Sequence, residues 1–157
     1  MGREIERKFL VTSDSWRGAG DAVRLCQGYL TTGPPVSVRV RLEGSRAWLN
    51  LKESTLEIGR AEWDFEIPAA DAEALLSMCV GGLIEKTRHY VRHGAHLWEI
   101  DVFEGENSGL VLAEIELGDE NEHFDLPPWA GEEVSLDPRY RNTYLSGNPY
   151  RTWPGRG

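Results

Sequence analysis

Cysteine is scarce: the 157 residues contain two, Cys26 and Cys79, in unrelated contexts and outside any metal-ligand spacing. A disulfide framework and a cysteine-built zinc module are therefore excluded. Long apolar runs are missing as well, and no stretch approaches the length of a membrane span. Residues 1–8 are too polar for an export signal, so a reducing cytoplasm is the expected setting. Basic residues are outnumbered, 17 Lys and Arg against 26 Asp and Glu, for a net charge of −9. That balance argues against nucleic acid or an anionic membrane as a partner. The few histidines do not compensate, because His89, His93 and His96 are too loosely spaced for a zinc site. The glycine pair Gly81-Gly82 follows a helical pattern and precedes a strand pattern, which marks a cap and turn and not a phosphate loop. Neither repeats nor low-complexity segments occur. The length suits one domain, expected over residues 1–150, with a frayed tail at 151–157.

What is present is alternation. Apolar and polar residues exchange with period two over 4–11, 23–30, 37–42, 47–52, 61–67, 85–92, 97–103 and 110–117, which predicts eight strands. Turn residues separate them, and the short links at Glu43-Gly44-Ser45-Arg46 and His93-Gly94 read as hairpins between antiparallel neighbours. Two helices are expected, over 69–78 behind Pro68 and over 139–145 behind Asp137-Pro138. The fold class is α+β, mostly antiparallel β: an eight-stranded closed or nearly closed barrel with a few helices packed outside.

The strand faces carry the functional signal. Residues two apart share a face, so Glu4, Glu6 and Lys8 align, as do Arg39 with Arg41, Asn50 with Lys52, Lys86 with Arg88, and Glu114 with Glu116. Glu62, Asp64 and Glu66 form a further acidic face. Any one such strand is ordinarily a half-buried strand with a solvated face. Together they differ from a surface built for solubility, which mixes signs. Here like charges repeat within a strand and the sign changes between strands. In a closed barrel these faces line the interior, where both charge types are costly unless a ligand satisfies them. A phosphate chain with a divalent metal meets that need: carboxylates are hard ligands for Mg²⁺ or Mn²⁺, and arginines fork onto phosphate oxygens.

The segment Glu4-Ile5-Glu6-Arg7-Lys8 resembles the Glu-x-Glu-x-Lys signature of the CYTH family, the triphosphate tunnel metalloenzymes. Arg39-Val40-Arg41, Leu49-Asn50-Leu51-Lys52, Glu62-Trp63-Asp64, Lys86-Thr87-Arg88, Trp98-Glu99-Ile100-Asp101 and Glu114-Ile115-Glu116 continue the likeness in order. So does the run from Glu133-Val134-Ser135 through Arg139-Tyr140 to Asn142, with serine where the family often has threonine. The resemblance implies that Glu4, Glu6, Glu114 and Glu116 hold the metal. It implies that Lys8, Arg39, Arg41, Lys52, Lys86 and Arg88 grip a triphosphate, with Arg139 reaching its terminal phosphate. Glu62 and Asp64 would orient the basic residues or hold a second metal, Asp101 would support them, and Tyr29 would pair with Lys8. The expected activity is metal-dependent hydrolysis of a small-molecule triphosphate, with inorganic tripolyphosphate foremost. Attack on thiamine or nucleoside triphosphates, cyclisation of ATP, and polyphosphate binding without turnover stay open, as does a homodimer.

Overall fold

In the computed structural model, residues 2–55 and 58–155 are described, with side chains from Glu4 onward. Nine strands run antiparallel: β1 (Gly2–Val11), β2 (Ala22–Thr31), β3 (Val36–Glu43), β4 (Arg46–Glu53), β5 (Gly59–Ile67), β6 (Val80–His93), β7 (His96–Phe103), β8 (Val111–Glu116) and β9 (Ala130–Glu133). Their order is β5-β4-β3-β2-β6-β7-β8-β1-β9, and a further β5–β1 pairing closes the first eight into a barrel. All eight expected strands are present, because charged inner faces and apolar outer faces impose strict alternation. Two features differ. Strand β6 begins at Val80, five residues early, running through Gly81-Gly82, where a positive φ of 69° at Gly81 suits glycine. The four-residue β9 is additional and pairs with β1 through Phe9↔Glu133 and Val11↔Ala130.

The edge of β1 is shared. Residues 2–5 pair with β5 and residues 9–11 with β9, so the wall changes partner around Glu6–Lys8. The opposite edge pairs with β8 from Glu6↔Glu116 to Leu10↔Leu112.

Three apolar clusters hold the barrel. One covers its outside with Phe9, Trp98, Ile100, Ala113 and Ile115, capped by Trp16 and Trp129. Another sets α1 (Ala69–Leu76) on the outer faces of β3 and β4, where Ala72 packs with Val40 and Ala47. The third involves the inner face. Ile84, Phe103, Leu112 and Leu10 share the strand faces of Lys86, Asp101, Glu114 and Lys8, yet they pack with Val134, Tyr140, Leu145 and Trp153 of the C-terminal segment. The apolar residues therefore do not all point away from the charges, as strand patterning suggests. On β1, β6, β7 and β8 the inner face is charged over part of its length and apolar over the rest, and the C-terminal segment covers the apolar part.

The expected helix at 139–145 is split. A 3₁₀ turn spans Pro138–Tyr140, capped by the Asp137 side chain accepting from the Arg139 N–H. Arg141 is extended at ψ 144°, and α2 follows over Asn142–Gly147. Within the tail expected to fray, a 3₁₀ turn spans Tyr150–Thr152 and Trp153 packs against Tyr140, Tyr144 and Tyr150, donating from Nε1 to the Asn148 carbonyl at 2.8 Å. An indole offers enough apolar area to dock a terminus. Residues 156 and 157 lie outside the described part.

Candidate active site

The charged inner faces enclose a cavity of about 260 Å³ whose lining residues all carry polar side chains. Seven are basic (Lys8, Arg39, Arg41, Lys52, Arg60, Arg88 and Arg141) and seven acidic (Glu4, Glu6, Glu62, Asp64, Glu99, Glu114 and Glu116). Tyr29, Ser37, Asn50, Asn142 and Thr143 complete the wall. Strand parity places the barrel residues here: Arg39 and Arg41 face in from β3, Lys52 from β4, and Glu4, Glu6 and Lys8 from β1.

The two signs are not evenly paired. Lys52 meets Glu4 at 2.6 Å, Arg60 meets Glu6 at 3.3 Å, and Lys8 meets Glu114 at 3.5 Å while donating to the Tyr140 carbonyl at 3.0 Å. Burial opposes charge on Lys52, but Glu6 and then Glu4 outweigh it and raise the ammonium above its ordinary range. Asn50 donates from Nδ2 to both Glu62 and Asp64 at 2.8 Å, fixing that acidic pair. Arg39 and Arg41 form no ion pair among the described residues, and each buries an Nε without a hydrogen-bond partner. Burial, then the charges of Arg39 and Arg88, lower the Arg41 guanidinium from its ordinary value. A guanidinium with unmet donors, crowded by like charge, is a site for an anion.

Behind this wall lies a buried ion group. Asp101, 1% exposed, accepts from Arg88 Nε at 2.8 Å and Nη2 at 3.0 Å, and pairs with Lys86 Nζ at 2.8 Å. Arg88 also donates to Glu99 at 3.2 Å from Nη1. Burial alone would raise the Asp101 carboxyl, but Arg88 and then Lys86 hold it below the carboxylate range. Burial pushes Lys86 down to about 8 against the pull of Asp101. Glu99 is pushed up to about 7 by burial, with Glu114 and Asp101 adding and Arg88 opposing.

Fourteen of the fifteen residues singled out by sequence converge on this chamber or on the ion group behind its wall. Lys86 and Asp101 stand behind the lining, where Lys86 donates to Asn142 Oδ1 at 3.3 Å and not into the cavity. Tyr29 lines the cavity, and no hydrogen bond joins it to Lys8 among the described residues. Arg139 departs altogether. It is exposed, forks onto Asp137 at 2.7 Å and stacks on Tyr140 and Trp153. Its place in the lining is taken by Arg141, two residues on, whose Nη2 donates to the Thr55 carbonyl. Sequence reading missed Arg60, Glu99 and Arg141. The first two share inner faces with Glu62 and Asp101, so parity pointed to them. Arg141 sits in an irregular segment with no period to read.

For a divalent metal, the chemistry of the donor set is suitable. Glu6 stands opposite Glu116 and Lys8 opposite Glu114 on β1 and β8, and burial followed by the Glu6 charge raises the Glu114 carboxyl. Carboxylates that repel one another gain from a hard cation between them. No three acidic or histidine side chains converge as a ready cage among the described residues. Mg²⁺ does not require one, because it takes one or two carboxylates and keeps waters and phosphate oxygens.

A closed antiparallel barrel enclosing a two-signed polar chamber defines the class to which this chain belongs. The CYTH domain model matches residues 2–144, and the chain is a member of the CYTH family, a family of metal-dependent enzymes. It is 43% identical over 154 residues to an inorganic triphosphatase of Acetivibrio thermocellus, covering 98% of this chain and 99% of that one. It is 40% identical over 147 residues to an inorganic triphosphatase of Nitrosomonas europaea, covering 91% and 96%. A crystal structure of an inorganic triphosphatase superimposes with a TM-score of 0.68 at 39% identity, covering 91% of this chain and 97% of that one. A Pyrococcus horikoshii protein shares the fold at 22% identity, with a TM-score of 0.58 over 75% of this chain and 80% of that one. No helix among the described residues is long and apolar enough to cross a membrane.

Proposed function

We propose that the protein hydrolyses inorganic tripolyphosphate to pyrophosphate and orthophosphate within its barrel. The observation that carries this reading is the pair of guanidiniums of Arg39 and Arg41, each with a buried Nε that has no partner among the described residues, facing a carboxylate wall across a chamber whose described lining is polar. The relatives in Acetivibrio thermocellus and Nitrosomonas europaea support it. The lining favours a bare phosphate chain over a nucleotide, since among the described residues Tyr29 is its sole aromatic and no apolar wall is offered to a base.

Arg39, Arg41 and Arg88 bind non-bridging phosphate oxygens, and Lys8 and Lys52 act as point charges. Glu4, Glu6, Glu114 and Glu116 would hold Mg²⁺ or Mn²⁺, and Asn50 fixes Glu62 and Asp64 in the wall by donating to both. A bound divalent cation supplies neutralisation of phosphate charge and polarisation of the phosphoryl group. Water attacks the terminal phosphorus, the bond from that phosphorus to the bridging oxygen breaks, and pyrophosphate departs while the water's proton passes to solvent. Phosphoryl transfer asks mainly for positioning and charge stabilisation, both of which this wall provides. The free thiols of Cys26 and Cys79 suit the cytoplasm as the setting.

Phosphate release from tripolyphosphate, ATP and thiamine triphosphate, each with Mg²⁺, Mn²⁺ or EDTA, tests the reading. EDTA-sensitive release with tripolyphosphate preferred is expected. Preference for either other substrate, or release unaffected by EDTA, overturns it.

A further inference from the structure

The barrel wall is incomplete beside the chamber. Where β1 exchanges β5 for β9, around Glu6–Lys8, a small cleft of about 20 Å³ opens beneath Ser135 and Asp137. Arg141 lines both the cleft and the main cavity. Its guanidinium comes from the extended residue between the 3₁₀ turn and α2, and its described bond is to a neutral acceptor, the Thr55 carbonyl. No carboxylate pairs with it among the described residues, in contrast to Arg60 and Lys8 alongside. The cleft holds no more than a water, so the anion that would meet this charge lies in the main chamber.

The cations form an ordered arc. Arg39 and Arg41 face in from β3, Lys52 from the neighbouring β4 and Arg60 from β5 beyond it, and Arg141 shares the small cleft with Arg60. Along it, the members without a carboxylate partner among the described residues fall at two places: Arg39 and Arg41 toward one end, Arg141 at the other. Carboxylates already neutralise the middle, at Lys52 and Arg60. Two poles without an ion pair, separated by an ion-paired stretch, match an anion whose charge is greatest at both ends. Linear triphosphate is such an anion, since a free terminal phosphate carries more charge than an interior or esterified one.

We infer that Arg141 is a substrate-binding and specificity residue, which receives the second free terminal phosphate of an unesterified triphosphate at the pole opposite Arg39 and Arg41. This inference rests on the triphosphatase reading and specifies its substrate class. ATP has one free end, which the guanidiniums of Arg39, Arg41 and Arg88 outcompete Arg141 to hold. Its ester end then faces Arg141 with less charge, so Arg141 contributes less to ATP than to tripolyphosphate.

The test compares wild type with Arg141→Gln and Arg141→Lys by calorimetric titration with sodium tripolyphosphate and with ATP, beside phosphate release from each. Glutamine keeps a donor for the Thr55 carbonyl, and an unchanged melting temperature without ligand verifies folding. Arg141→Gln is expected to weaken tripolyphosphate binding and lower its kcat/KM by on the order of tenfold or more. The ATP values are expected to change less than about threefold, and Arg141→Lys to fall between. Equal losses for both ligands, or no loss for tripolyphosphate, overturn the inference. Wild-type protein that binds tripolyphosphate without releasing phosphate defeats the hydrolytic reading alone, and the titrations still decide the role of Arg141.

Discussion

Replacing Asp101 with asparagine removes one charge from a group that water barely reaches. Asp101 and Lys86 are each 1% exposed, and the carboxylate accepts two bonds from Arg88 and one from Lys86, all within 3.0 Å. Asparagine conserves the volume, so no cavity term enters. What changes is electrostatic: Lys86 and Arg88 are left buried beside one another without their shared anion. Breaking a buried pair by removing one partner costs about 3–5 kcal/mol. With a urea m-value of about 2 kcal/mol/M, that lowers the midpoint by about 2 M. The assay is equilibrium urea unfolding at pH 7.5, followed by tryptophan fluorescence. The difference should depend on pH with a definite sign. The folded Asp101 carboxyl lies below its ordinary range, so its stabilisation is present above the unfolded pKa of about 4 and fades as pH falls below it. The gap between wild type and Asp101→Asn should therefore narrow below about pH 4. Adding Lys86→Met should restore part of the loss, since one of the stranded charges is removed. A cost below about 1 kcal/mol for Asp101→Asn, or a gap that widens on acidification, refutes the reasoning.

The remaining predictions concern the chamber and its cover. Arg41→Ala should raise the tripolyphosphate KM on the order of tenfold or more with little change in stability; an unaltered KM in steady-state assays counts against an anion site there. Glu99, pushed up to about 7 from an ordinary 4.5, favours the folded state most below pH 4.5 and loses that contribution as pH rises through 7. Glu99→Gln should thus flatten the stability profile between pH 4.5 and 7, and a profile parallel to wild type in pH-dependent unfolding contradicts this. Tripolyphosphate at about a hundred times its Kd should stabilise the fold by about 2.7 kcal/mol and raise Tm by about 5–10 °C in calorimetry, whereas no rise would favour solvated strand faces. Trp153→Ala should destabilise by about 2 kcal/mol by undoing the packing with Tyr140, Tyr144 and Tyr150; an unchanged urea midpoint would return the tail to a frayed end.

The barrel was legible because its inner charges and outer apolar residues force period-two alternation on eight strands, and a one-residue slip would invert every face. Strand β9 escaped because Ala130–Glu133 is short and paired along only part of β1, with no alternation long enough to register. The start of β6 escaped because Gly81-Gly82 carries the composition of a turn while its backbone stays in the sheet.

For the site, parity supplies the face of a residue and says nothing of its depth along the barrel. Lys86 and Arg88 share a face, yet Arg88 reaches the chamber while Lys86 is sealed behind it by Asn142 and the apolar cover. Depth depends on where β6 meets the C-terminal segment, and that contact is tertiary. The same limit separates Arg139 from Arg141. Both are arginines beside Tyr140 in a stretch without a period, and local chemistry divides them. Asp137 caps the 3₁₀ turn and draws Arg139 outward into a fork. The extended backbone at Arg141 then turns the next arginine inward to the Thr55 carbonyl. Asp137 thus holds Arg139 outside, while the backbone at Arg141 brings its guanidinium to the chamber. Asp137→Ala, which frees Arg139 without touching Arg141, should leave tripolyphosphate affinity within about threefold of wild type if that division is correct. A tenfold loss measured by calorimetry would mean that the turn, and not the arginine behind it, sets the second pole.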